Sequence, residues 1–262
     1  MSAAMVTARG VGLRIGEAQI LSDVDLDVRG GEVLALVGPN GAGKTSLLSL
    51  LAGDAVPTAG EVLLEGTPVA AHRPGALARR RGVLLQENRL SFPFEVVDVV
   101  QMGRAPWRGR PEEEDDDAAV GRAMHAAEVL HLARRSFPTL SGGEKSRTSF
   151  ARVLAQDPRL IFLDEPTAAL DIRHQERTLA LARRRAAAGD AVVVVLHDLS
   201  LAAAYSDRMI LLSGGRIVAA GPPREVLDPE RLSTVYEHPV EVVARPDGSL
   251  LVLPVRTVEV SL

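Results

Sequence analysis

Three short stretches carry residue types that could do chemistry together. Gly38-Pro39-Asn40-Gly41-Ala42-Gly43-Lys44-Thr45 has the spacing G-x-x-x-x-G-K-[ST]. Glycines let the backbone curl so that successive N–H groups point at phosphates, and a following helix adds the positive end of its dipole. In such a loop Lys44 reaches the β- and γ-phosphates, and the Thr45 hydroxyl, with Ser46 beside it, is a ligand for Mg²⁺. Asp164-Glu165 ends the apolar run Leu160-Ile-Phe-Leu163. A carboxylate there can hold Mg²⁺ through water, and the next one suits the general base that takes a proton from an attacking water. Leu140-Ser141-Gly142-Gly143-Glu144 offers a hydroxyl and glycine amides at the head of a helical stretch, which makes an anion site. The chemistry implied is hydrolysis of a nucleoside triphosphate.

These residues need strands and helices to hold them. Val33–Val37 is continuously apolar, as in a strand buried on both faces, and the stretch from Lys44 to Ala52 reads as a helix. Leu21–Val28 alternates Asp with apolar residues and reads as a half-exposed antiparallel strand; Glu61–Glu65 reads as another edge strand. Val83–Gln86 is a short strand. Leu160–Asp164 and Ala191–Leu196 read as buried strands, each followed by a helix, over 170–188 and Leu199–Tyr205. Arg208–Leu212 and Arg216–Ala220 form a hairpin around Gly214-Gly215, and Val240–Ala244 and Leu250–Leu253 flank a turn signal at 245–249. Strands alternating with helices predict a mostly parallel sheet covered on both faces.

Between about residues 90 and 140 the pattern changes to a small helical lobe. A helix opens at Val96-Val97, another ends across Glu128–Leu132, and the acids Glu112–Asp117 read as a solvated surface segment.

Bulk properties narrow the function class. The net charge of −4 gives no footprint for gripping nucleic acid, and no long coiled coil accompanies the motifs. There is no cysteine, so disulfide and thiolate chemistry are excluded, in keeping with a reducing compartment. The N-terminus lacks the apolar core of a signal peptide, and the Ala191–Leu196 run is far below the ~20 residues that span a bilayer. Lys44 and Lys145 are the only lysines beside many arginines, and Lys44 stands where a compact ammonium fits better than a planar guanidinium.

With LSGGE placed ahead of the Asp164-Glu165 strand and the phosphate loop upstream, the chain resembles the ATP-binding subunit of ABC transporters. The resemblance implies an α/β P-loop NTPase fold, with a mostly parallel core sheet, an antiparallel β edge subdomain and an inserted helical lobe at about 90–140. One nucleotide-binding domain would span 1–262, with a β-rich extension over 240–262. It implies ATP and Mg²⁺ bound between two copies, with Leu140, Ser141, Gly142, Gly143 and Glu144 of one chain closing over ATP on the loop of the other. His197 matches the family's switch histidine, which contacts the γ-phosphate and positions the catalytic carboxylate. Gln86 matches the glutamine that touches Mg²⁺ and water and transmits motion to the membrane subunit. Asp171 matches a loop that communicates across the dimer, although Ala168 stands where the family commonly has Ser. The family stacks adenine on an aromatic residue before the phosphate loop. This chain has no Phe, Tyr or Trp before Phe92, and by position Ile15 replaces it, which implies weaker selectivity for the base.

Finer resemblance concerns cargo. The stretch 91–106 is similar to the segment of haem and ferric-siderophore importers that receives the permease's coupling helix. The stretches 196–205 and 236–242 are most similar to haem-importer ATPase subunits, with ferric-siderophore and then cobalamin importers as alternatives. The expected arrangement is a homodimer, peripheral on the cytoplasmic face of the cell membrane, bound to two permease subunits and only indirectly to a substrate-binding protein. Haem itself would not touch this chain, because His72, His125, His131, His174 and His238 are not spaced as ligands.

Overall fold

The computed structural model describes residues 4–85 and 92–256. Gln86 lies outside them. The chain order is β1 (Ala4–Ile15), β2 (Ala18–Arg29), β3 (Val33–Val37), α1 (Lys44–Ala52), β4 (Ala59–Leu64), β5 (Thr67–Pro68), α2 (Pro74–Arg80) and β6 (Arg81–Leu84). The inserted lobe carries α3 (Val96–Gln101) and α4 (Asp116–Ala126). Then come α5 (Gly142–Ala155), β7 (Leu160–Asp164), α6 (Ile172–Ala187), β8 (Ala191–Val195), α7 (Leu199–Tyr205), β9 (Arg208–Ser213) and β10 (Arg216–Gly221). The chain closes with α8 (Pro223–Val226), α9 (Pro229–Tyr236) and the hairpin β11 (Val240–Ala244) and β12 (Leu250–Pro254).

The central sheet has the order β10-β9-β3-β8-β7-β6, parallel except for β9–β10. Every residue of β3, β7 and β8 is buried. Alternate side chains of the central strands serve two cores. Val33, Ala35, Val37, Ile161, Leu163, Val192 and Val194 face α6, α7 and the helical lobe. Leu34, Leu36, Leu160, Phe162, Val193 and Val195 face α1 and the antiparallel sheet β2-β1-β4-β5. A strand covered on both sides has no polar face to show, which is why its sequence is apolar throughout.

Register brings the chemistry to one edge. Val195 of β8 pairs with Leu36 of β3 on one side and with Asp164 of β7 on the other. The three strands run the same way, so Gly38, Glu165 and His197 all emerge at the carboxyl ends of the sheet, where open α/β sheets place their ligands.

The structure differs from the sequence reading in three places. The Glu61–Glu65 strand is not an edge: β4 lies between β1 and β5. Its neighbour β1 escapes a period-two reading because register shifts near Gly10 and Gly12 break the alternation. The second lobe helix ends at Ala126, before the expected 128–132, and Leu130–Leu132 is a single 3-10 turn. The acidic run splits by role. Glu112, Glu113 and Glu114 are exposed in a 3-10 turn. Asp116 and Asp117 open α4, where negative charge complements the helix dipole. Asp116 also pairs at 2.6 Å with the buried Arg104, whose other N–H groups donate to the Ala155 and Glu112 carbonyls.

Candidate active site

The phosphate loop joins β3 to α1 and takes its shape from three left-handed glycines: Gly38 (φ 143°), Gly41 (φ 78°) and Gly43 (φ 96°). Sterics add a second demand at two of them. A Cβ on Gly38 would lie 2.1 Å from the Leu212 carbonyl oxygen, and one on Gly43 would lie 2.7 Å from the Leu21 Cδ2. The loop therefore packs against β9 and β2 and tolerates no side chain there. Lys44 is buried at the start of α1, and its Nζ donates to the carbonyls of Gly38 (2.8 Å) and Pro39 (2.9 Å). Burial pushes the Lys44 ammonium below its ordinary pKa, while Glu165 and Asp164 pull the other way.

The carboxylates stand at the end of β7. Thr45 Oγ1 donates to Asp164 Oδ1 at 3.2 Å. Asp164 is buried, and burial holds its carboxyl above the usual carboxylate range against the Thr45 hydrogen bond. Glu165 sits in the left-handed region (φ 48°), which turns its carboxyl away from the strand, and its Oε1 lies 2.6 Å from His197 Nε2. A non-glycine residue held at positive φ costs energy that the surrounding structure must supply, and such residues gather at active sites. His197 follows β8 directly. Asp198 behind it caps α7, accepting from the Ser200 and Leu201 amides, so the histidine is carried on a fixed helix entry.

These groups share an open cleft of about 310 Å³ lined by Ile20, residues 40–46, Glu165 and His197. Ile15, the expected stand-in for the base-stacking aromatic, lies at the end of β1, is 62% exposed and does not line this cleft. Ile20, on the paired strand, lines it instead. Sequence reasoning missed Ile20 because nothing but the β1–β2 turn brings it there.

None of residues 140–144 lines the cleft. Leu140 is buried and anchors the stretch. Ser141 caps α5 in a capping box: its Oγ accepts from the Glu144 amide at 3.3 Å, and Glu144 accepts from the Ser141 amide at 2.8 Å. Those hydrogen bonds hold the Glu144 carboxyl below its ordinary pKa. Both Ser141 and Gly142 are exposed, so the N-terminal end of α5 faces outward. Asp171 is also exposed and caps α6, accepting from the His174 amide at 2.9 Å. One chain thus carries the loop, the carboxylates and the histidine at its cleft and a separate, outward-facing helix terminus.

The Thr45 hydroxyl and the Asp164 carboxylate are hard oxygen donors at the mouth of the loop, and they fit a small divalent cation. Among the described residues no cluster of three His, Cys, Asp or Glu forms an all-protein cage. Mg²⁺ does not need one, since it is held by one or two protein oxygens together with phosphates and water.

The ABC transporter family profile matches residues 21–168, from β2 through the phosphate loop to the turn after Glu165. The chain belongs to the ABC transporter family. It is an ABC ATPase. It is 59% identical over 250 residues, 95% of this chain and 88% of the relative, to the hemin import ATP-binding protein HmuV of Thermobifida fusca (strain YX). Among solved structures it superposes, with a TM-score of 0.81 and 26% identity, on a metal-chelate type ABC transporter in an inward-facing conformation, covering 99% of this chain and 100% of that one. It also matches a dimeric post-hydrolysis ABC cassette bound to ADP and Pi, with a TM-score of 0.75 and 28% identity over 84% of this chain and 99% of that one.

Proposed function

We propose that this chain is the ATP-hydrolysing subunit of a haem importer. The observation that carries the cargo is the 59% identity, over nearly the whole of both chains, to a hemin import ATP-binding protein. The chain works as a homodimer with two composite sites. The outward-facing Ser141 and Gly142 at the head of α5 support this, since they lie off their own cleft, and so does the dimeric cassette of similar fold.

Lys44 and the loop amides bind the β- and γ-phosphates. Glu165 takes the proton of the attacking water, and His197, bonded to its carboxyl, holds it in place. Ser141, Gly142 and Gly143 of the second copy close the site from the far side. Thr45 and Asp164 are the residues that would hold Mg²⁺, which would supply positive charge against the phosphates. Asp171 carries the state of one site toward the other, and Gln86 links the site to the permease.

No helix among the described residues is long and apolar enough to cross a membrane. As the ATPase subunit of an importer, the chain sits peripherally on the cytoplasmic face, against two permease subunits that meet the cargo delivered by a substrate-binding protein. Haem is handled by those partners.

The match to a metal-chelate type transporter favours one second reading, a ferric-siderophore importer using the same machinery. Growth of an iron-starved deletion host on haem or on a ferric siderophore as sole iron source separates the two. The wild-type chain should restore growth on haem alone, with Glu165→Gln as the inactive control. Restoration on the siderophore alone would move the cargo to the second reading, and restoration on neither would refute import of iron chelates.

A further inference from the structure

Position 128 holds a residue that its local backbone does not ask for. Helix α4 ends in a Schellman motif: the Glu128 amide donates to the His125 carbonyl and the Val129 amide to the Met124 carbonyl. Met124 and Val129, the positions whose apolar side chains accompany this motif, are both buried in the same core cluster. The residue in the left-handed slot is Glu128, at φ 55°, where glycine is the usual occupant.

What Glu128 does lies outside its own element. Its carboxylate faces the first turns of α6, with Oε1 3.2 Å from Arg173, a second ion pair to Arg177, and Oε2 3.9 Å from His174 Nε2. Its carbonyl oxygen accepts from Arg147 of α5 at 2.9 Å. The other nitrogen of the same imidazole, His174 Nδ1, lies 2.7 Å from Asp171 Oδ1. One residue at the end of a lobe helix therefore touches the helix headed by Ser141 and the turn that holds Asp171. The bonds from His174 keep the Asp171 carboxyl below its ordinary pKa, so it stays ionised and engaged.

We propose that Glu128 is a positioning residue that locks the helical lobe to α6 and, through His174, sets the placement of Asp171 and thereby the assembly of the composite ATP site. This rests on the homodimer reading above. The lobe carries α3 and α4, and α5 with the Ser141 terminus packs against both. A lock at Glu128 makes the lobe, the anion-binding end of α5 and the Asp171 turn move as one body. Exposed ion pairs taken singly contribute little, but here three basic side chains and a carbonyl contact converge on one residue at a strained position.

The discriminating variant is Glu128→Gly. It relaxes the left-handed backbone while removing the carboxylate, so stability and function are expected to part. The melting temperature should equal or exceed that of the wild type. The kcat for ATP should fall about fivefold or more with KM within about twofold, since the phosphate loop is untouched; a fivefold fall corresponds to about 1 kcal/mol of lost coupling. Glu128→Gln, which keeps the shape but not the charge, should fall between.

In a Glu165→Gln background with Mg²⁺-ATP, Glu128→Gly should lower the dimer fraction seen by light scattering. Wild-type kcat in Glu128→Gly overturns the proposal, and so does a joint loss of melting temperature and kcat, which would make the residue a structural anchor only. If Glu165→Gln alone stays monomeric with ATP, the homodimer reading fails instead, and the kcat comparison still decides the role of Glu128.

Discussion

Replacing Glu165 by Gln isolates the proton-transfer step from everything else at the site. The side chain is mostly buried, fixed at φ 48° and held 2.6 Å from His197 Nε2. Gln has the same length, pays the same backbone cost, and its carbonyl oxygen still accepts from the imidazole N–H. What changes is basicity, because an amide cannot take a proton from water. General-base catalysis contributes about 10²–10⁴-fold, or roughly 2.7–5.4 kcal/mol of barrier at 1.36 kcal/mol per decade. A second, smaller loss comes from the contact with His197, since hydrogen bonds to charged acceptors are roughly twice as strong as neutral ones. Phosphate release under saturating Mg²⁺-ATP is therefore expected to slow by at least ~100-fold, the lower bound of that range. Nucleotide affinity, measured by equilibrium binding, should stay within a few-fold of the wild type, because Lys44 and the loop amides are untouched. Light scattering should then find a dimer that persists with ATP. A kcat within tenfold of the wild type would remove Glu165 from the base role, and lost ATP binding would mean that the carboxylate shapes the cleft rather than acting in it.

Three further outcomes follow from the same geometry. Asp164 has its pKa raised by burial, so the folded chain binds that proton more tightly than the unfolded chain, and the ionised form lowers stability at neutral pH. Asp164→Asn is accordingly expected to raise the melting temperature of the nucleotide-free protein at pH 7 while abolishing hydrolysis, the gap closing as pH falls through the raised pKa; a lower melting temperature at pH 7 would contradict the sign. Arg104→Ala breaks a buried pair with Asp116 and unsatisfies two carbonyls, at a cost of about 3 kcal/mol in urea unfolding. Trp107, the only tryptophan, lies 5.4 Å from the Arg104 guanidinium carbon and should report the change by fluorescence. GTP should compete well against ATP for the wild-type site, because no aromatic side chain lines the cleft to stack on adenine. Strong ATP preference in the unaltered chain would mean that another group reads the base.

The sequence by itself determined the chemistry and its main supports. Gly38–Thr45, Asp164-Glu165 and residues 140–144 could be read because their signals are local: a phosphate loop needs glycines where the backbone curls, and a hydroxyl with glycine amides at a helix head makes an anion site. Buried strands β3, β7 and β8 were equally legible, because burial on both faces leaves one residue class for every position. Tertiary structure decided what depends on distant pairing. Only register sets Glu165 and His197 2.6 Å apart, since they come from separate strands. Only the sheet order makes β4 internal, and only the β1–β2 turn brings Ile20, rather than Ile15, into the cleft. Glu128 lay within a helical pattern in the sequence. Its left-handed backbone comes from the Schellman turn that ends α4, and its partners lie on α5 and α6, more than fifteen residues away in the chain, where no local periodicity could point to them.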